Sequence, residues 1–372
     1  MDLNNRNTKQ GIFIQNLELL CFLFVRVSAL LLPTIVLIGA SIGGVLTYVS
    51  PLLLYGVYGI VTLLLIYSGV GIDNTEYDDS KFKGYRILGL HSDFPLYAFL
   101  AQHLIILPLI FTFVREGRFE TYELVGLIIS WGASAGGVGI SVGHDLIHKK
   151  DKRLRWLGDF LWSLIFYSHF RISHSKGHHV NVGLPHDPAT AREGESIWHF
   201  YPRSILMGYL QCWHIESRQL TLKGKSVFSL ENYMWMDTFY KVVVPTCIYL
   251  SFGSEGLAFF FWTSLFAILI GETGNYFFHY GIKRAIVDGV PEPIQSKHSW
   301  DLPNKISGWF LFNAGRHSSH HIHPTAHYDE LTMYYDRAAI KYGSPIIVIV
   351  CMIPPIFYQM MAPRFEVNTQ SC

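Results

Sequence analysis

Residues 124–150 read LVGLIISWGASAGGVGISVGHDLIHKK, an uncharged run that ends on two histidines and two lysines. Leu124–Gly143 has about the 20 apolar residues that a helix needs to cross a ~30 Å hydrocarbon core. His144 and His148 close that run four residues apart, on one face of a helix, where both imidazoles can reach one metal. The fold is therefore read as a membrane bundle that carries metal-binding side chains at the end of its helices. The small-residue run GASAGGVGISVG fits close helix packing.

Val27–Ile72 holds no charged residue and supplies two spans, 27–49 and 51–72, with a hairpin turn expected at Ser50 and Pro51. Phe94–Val114 pairs with Leu124–Gly143 across REGRFETYE, and a third hairpin is expected from 237–254 and 256–281, the latter carrying Glu272. The expected fold is an all-α integral membrane protein with six transmembrane helices in one domain, 1–372, spanning at 27–49, 51–72, 94–114, 124–143, 237–254 and 256–281. Ile12–Val25, interrupted by Glu18, and Leu154–Ile172, interrupted by Arg155 and Asp159, read as interfacial helices. Pro345–Met361, broken by Pro354 and Pro355, is placed at the surface. KKDKRLR puts five positive charges within seven positions after the fourth span, so that end should be cytoplasmic, together with both termini and every histidine cluster. No cleavable signal peptide is expected.

Composition supports a bilayer as the solvent: of 372 residues 50% are hydrophobic and only 15% charged. A net charge of +1 offers no basic face for nucleic acid. Cys21, Cys212, Cys247, Cys351 and Cys372 form no CxxC pair, so an electron donor must be a separate protein.

Eighteen histidines are the compositional outlier. RISHSKGHH adds His174, His178 and His179 to the first pair, RHSSHH adds His317, His320 and His321, and NYFFHYG adds His279. Imidazole suits iron, copper, nickel and zinc alike, but nine clustered histidines are about twice what one ion can use, which points to two ions. Any one of them alone could be a packed or surface residue; four clusters at one membrane face argue against that for the set. His91, His103, His199 and His214 read as packed or surface residues, while His169, His186, His298, His323 and His327 are candidates to orient ligands from outside.

HDLIHK, SHSKGHHVNVGLPHDPATAREGESIW, NYFFHYG and RHSSHHIHP resemble the histidine motifs of membrane alkane 1-monooxygenases. The likeness continues into PRSILMGYLQCWHIESRQLTLKGKSVFS and IPPIFYQMMAPR, and extends more loosely to xylene-methyl monooxygenase and membrane fatty acid desaturases. It implies a six-span helical fold, two iron ions, molecular oxygen as co-substrate, and electrons from rubredoxin served by an NADH-dependent rubredoxin reductase. There are three departures from the pattern, at four positions. Ser173 and Phe278 stand where glutamates are usual, and Ala314 and Gly315 replace the residues usual before RHS.

The resemblance also implies terminal hydroxylation of an n-alkane in a tunnel whose far end is stopped by a bulky residue on the second span; Tyr55, Tyr58 and Tyr67 are the candidates, with Tyr58 favoured. Asp145, Asp187, Glu272 and His298 are candidates to balance the charge of the metal site or to hold ligand tautomers. A desaturase, ketolase or xylene-type methyl hydroxylase is the nearest alternative, and a histidine-rich metal transporter the alternative outside enzymology. The membrane could be a bacterial inner membrane or the endoplasmic reticulum.

Overall fold

The computed structural model describes residues 9–63, 93–334, 339–340 and 342–369. Tyr67, His91 and the second half of the expected 51–72 span lie outside them. The described chain is mostly helical; its one sheet is the two-stranded hairpin Ile286–Val287 and Val290–Pro291. Four helices are long and apolar enough to cross a membrane, and up to six if each of two bent pairs counts as one span. Ile105, Leu250 and Trp262 on these helices are 67%, 77% and 59% exposed, the pattern expected where lipid takes the place of water.

The first apolar stretch is divided differently from the expectation. Helix α1, Lys9–Leu30, runs through the segment read as interfacial and into the expected first span, and it bends by 67° into α2, Leu32–Ile42. Arg26 obscured this in the sequence; it is buried, with its guanidinium over the rings of Phe312 and Tyr328. The expected hairpin turn at Ser50 and Pro51 is absent. Both lie inside α3, Gly44–Leu63, and the turn falls instead at Gly43 and Gly44, whose φ values of 82° and 60° suit glycine.

Helices α4, Phe94–Arg115, and α5, Thr121–Ile147, match the second expected pair. The small residues of α5 serve packing: a Cβ on Gly136 would lie 2.7 Å from the Ala267 carbonyl oxygen, so the two backbones meet there directly. After α6, Lys152–Ser163, the chain turns through Phe166 in the left-handed region and re-enters a short helix, α7, over 170–181. The expected interfacial helix Leu154–Ile172 is thus two pieces.

Helix α8, Ile197–Leu222, precedes α9, Tyr233–His279, which breaks at Gly253, φ 73°. The arms of α9 run back to back. Asp237 and Glu272 accept hydrogen bonds from the adjacent residues Ser168 and Tyr167, while Ser251 meets Arg115 at the far end. The hairpin expected near residue 255 is therefore present.

Short helices α10, Lys305–Phe310, and α11, His317–Ile322, close the histidine end. The segment placed at the surface, Pro345–Met361, is instead a pair, α12 (Ser344–Cys351) and α13 (Pro354–Thr369), bent by 120°. Ile347, Cys351, Phe357 and Met361 are fully buried against the cluster around Tyr276 and Tyr280. The two prolines bend the segment without expelling it, because its apolar face still has a partner.

Candidate metal centre and apolar cavity

All nine expected histidines converge, in two groups. His144, His148, His174, His179 and His320 form one, and His178, His279, His317 and His321 the other; within each, one ring nitrogen per residue lies within 4.8 Å of all the rest. Backbone winding decides the division. Residues Ser173–His178 form a π turn, whose bonds run i to i+5, so His174 shares a face with His179 while His178 is turned to the second group. Helix α11 is α-helical, so there the i, i+4 pair His317 and His321 stays together and His320 goes to the first group.

The chemistry of this donor set fits cations. His279 Nε2 lies 3.0 Å from His178 Nε2, 3.0 Å from His317 Nε2 and 3.2 Å from His321 Nε2. In the other group, His174 Nε2 lies 2.8 Å from His144 Nε2 and 3.0 Å from His179 Nε2, which is 2.9 Å from His320 Nε2. One N–H satisfies one acceptor, so neighbouring N–H bonds cannot serve so many converging nitrogens; a metal ion can. The buried His148 Nε2 has no hydrogen-bond partner at all. Burial also holds His174, His179, His320 and His321 well below the ordinary histidine value, His148 at about 4 and His317 at about 3. These imidazoles are neutral near pH 7, the form that binds metal.

The residues expected to orient the ligands divide. Asp187 is placed for it: its Oδ2 accepts from His178 Nδ1–H at 2.8 Å and from the Thr190 hydroxyl at 2.6 Å, which leaves His178 Nε2 facing the second group. His298 acts through its backbone, the carbonyl accepting from His279 Nδ1 at 3.3 Å, while its imidazole faces Glu292. Asp145 touches no ligand nitrogen; it pairs with Lys149 at 2.9 Å and accepts from the Tyr328 amide. Asp93, Asp145 and His327 also converge, but the Lys149 ammonium, 3.5 Å from Asp93, already supplies the cation there. Glu272 accepts from Tyr167, Ser204 and Asn275 rather than from a histidine. His169 lies beside Lys241, and His186 bonds Asn181 on the surface.

Three contacts were not read from the sequence. Asp301, buried, accepts from the Ser318 amide and fixes the start of α11. Phe170 stacks on His174 with centroids 4.8 Å apart, and Phe278 stacks on His317 at 4.2 Å. The place of Phe278 immediately before His279 in NYFFHYG is the available sequence signal for the latter.

The two phenylalanines belong to a cavity of about 150 Å³ that begins at His144, His174 and His317, histidines from both groups, and runs between α5 and α9 past Gly137, Ile140 and Ile268 to Tyr55. Its lining is almost wholly apolar, and among the described residues Glu272 is its one carboxylate. Tyr58, the tyrosine favoured from sequence, is not part of it. That residue is buried against Phe310 and Phe24, its hydroxyl hydrogen-bonded to Ser28. Residues Leu52–Gly59 are π-helical, and the wider turn puts Tyr55 and Tyr58 on different faces.

Residues 122–348, more than half of the chain, match the fatty acid desaturase family. The alkane 1-monooxygenase of Pseudomonas putida is 32% identical over 312 residues, covering 82% of this chain and 76% of that protein. The chain belongs to the alkane 1-monooxygenase family. An alkane 1-monooxygenase of Ectopseudomonas oleovorans is 35% identical over 65% of this chain and 60% of its own length. The hydroxylase component of the xylene/toluene monooxygenase of Pseudomonas putida is 26% identical over 72% of this chain and 74% of its own length. Membership makes the protein a membrane non-haem di-iron oxidoreductase and sets aside the metal-transporter reading.

Proposed function

We propose that the enzyme hydroxylates the terminal methyl group of an n-alkane to a 1-alkanol, with O2 as co-substrate and the nine histidines holding two iron ions. The observation that carries this reading is the cavity: one end is made by histidines of both groups, and the rest offers almost nothing polar for a substrate to bind. An unactivated C–H bond presents no group for acid or base to act on, so the bound iron supplies the oxidising chemistry. The chain's own residues do the rest. The two groups fix where oxidation occurs, and Asp187 and the His298 carbonyl keep the His178 and His279 lone pairs inward. Phe170 and Phe278 cover one ring face of His174 and of His317 with apolar surface. A chain lying along the apolar walls can place only its end at the histidines, and depth then selects the carbon.

Electrons come from a separate rubredoxin, reduced by NADH through its reductase; the absence of any CxxC pair in this chain supports an external donor. The histidine end faces the cytoplasm, a reading supported by KKDKRLR directly after α5. To test the function, membranes carrying the enzyme are incubated with rubredoxin, reductase, NADH, O2 and a mixture of n-alkanes, fatty acyl esters and xylene. A 1-alkanol as the main product, absent without O2, is expected. An unsaturated or keto acyl product, or methylbenzyl alcohol alone, would replace this reading with the corresponding activity.

A further inference from the structure

Glu272 stands in the wall between two compartments of opposite character. On one side is the apolar cavity; on the other is a pocket of about 20 Å³, bordered by Ser173, Asp187, Ser204, Gln211 and Asn275, that also touches His174 and His178. The volume suffices for one water molecule, and the polar groups around it can bind one. The carboxylate is fully buried but held by donors alone: Oε1 accepts from Tyr167 Oη at 2.8 Å and Asn275 Nδ2 at 3.3 Å, and Oε2 from Ser204 Oγ at 2.6 Å. Among the described residues no ion pair to it is present, so hydrogen bonds alone offset the cost of this carboxylate in a membrane helix, and such a residue points to function.

The reaction defines that function. Hydroxylation consumes RH + O2 + 2 electrons + 2 protons and yields ROH + H2O. One oxygen atom enters the C–H bond; the other takes both electrons and both protons and leaves as water. The electrons come from the donor protein, whereas the apolar cavity offers no route for protons along its own walls. We infer that Glu272 carries protons from water in the polar pocket into the cavity, with Tyr167, Ser204 and Asn275 fixing the carboxylate between the two. This rests on the oxygenase reading above.

Two variants test it. Glu272→Gln removes the exchangeable acid while keeping a similar shape. Gly208→Leu changes neither Glu272 nor its donors and takes up the polar pocket that they line, because Gly208 borders it and a Cβ there meets nothing within 4 Å. Both should lower alkanol formed per NADH by about tenfold or more, with reduced O2 that leaves the site and takes its two protons from bulk water as hydrogen peroxide making up the difference, since general acid help contributes about 10²–10⁴. The iron content and the thermal stabilisation of the protein by a long-chain alkane should stay at wild-type values, which a merely structural role would not preserve. An experimental density map of the metal-free protein should show one ordered water in the polar pocket of the wild type and none in Gly208→Leu. Should Glu272→Gln lose its iron or its fold, Gly208→Leu decides alone. Full coupling in Gly208→Leu, full coupling in Glu272→Gln, or a dry wild-type pocket would overturn the inference. Wild-type membranes that form no alkanol would instead overturn the oxygenase reading on which it rests.

Discussion

Tyr55 and Tyr58 are three residues apart on α3 and face different surroundings: Tyr55 lines the cavity, whereas Tyr58 is 2% exposed with its hydroxyl bonded to Ser28. Shortening Tyr55 should therefore lengthen the cavity and shortening Tyr58 should damage the core. Tyr55→Ala is expected to extend the accepted alkane by several carbons at ~1.3 Å each, with oxidation still at the terminal methyl, while Tyr58→Ala lowers stability by about 3–5 kcal/mol without a shift in chain length. Product profiles on a homologous alkane series, paired with thermal unfolding, check both. A longer product range from Tyr58→Ala alone would reverse the assignment.

Gly137 offers the converse change. A Cβ there meets only Phe310 at 3.8 Å and Leu311 at 3.9 Å, ordinary contacts, so an added side chain fits the scaffold and takes its volume from the cavity that Gly137 lines. Gly137→Val should lower the longest accepted chain by a few carbons and leave short alkanes as substrates. The same alkane series reads this, and loss of all chain lengths together would show backbone damage in place of a shortened cavity.

The sequence showed which residues gather and misread how some are presented. Nine histidines at one end of a helical bundle were legible because His144, His148 and His279 close apolar runs and the other six stand in two compact motifs, RISHSKGHH and RHSSHH. Their division into five and four was not, since it depends on the π turn at Ser173–His178, which periodicity treats as α-helix. The same local winding displaced Tyr58 from the cavity. Arg26, Ser50 and Pro51 suggested boundaries where the chain continues as helix, because partners distant in sequence shelter them: Phe312 and Tyr328 for Arg26, and α5 for Ser50, whose amide donates to Ser130. The stacking of Phe170 and Phe278 is tertiary, and only the position of Phe278 beside a ligand hints at it.

Asp187→Asn should weaken the metal site without emptying the fold. Asparagine can leave its amide N–H2 facing His178 Nδ1, which favours the tautomer that turns a proton toward the second group. Loss of such a partner commonly costs about 10–100-fold in metal affinity. Chelator competition should show one ion released more readily than the other. Equal retention of both ions in Asp187→Asn and wild type would remove Asp187 from the site's support.

His327 ties the segment after α11 to the bundle, bonding Asp93 at 2.8 Å and Asp329. Burial opposes its charge, but the bond to Asp329 and the nearby Asp145 outweigh it, and the histidine is raised above its usual value while Asp329 is lowered. A raised histidine contributes fully below the unfolded value of about 6.5 and loses that contribution as pH rises through the folded value. Amides of residues 326–331, corrected for intrinsic exchange, should therefore lose protection as pH rises above about 6.5. His327→Ala should flatten the profile. Protection that grows over the same pH range would contradict the tie.

The most direct test is the metal count of the purified, active enzyme. Elemental analysis combined with O2-dependent alkanol formation should give two iron ions per chain, falling together with turnover in His174→Ala and His279→Ala, one variant from each group. Full activity with a single ion per chain, or with zinc as the only metal, would contradict the account.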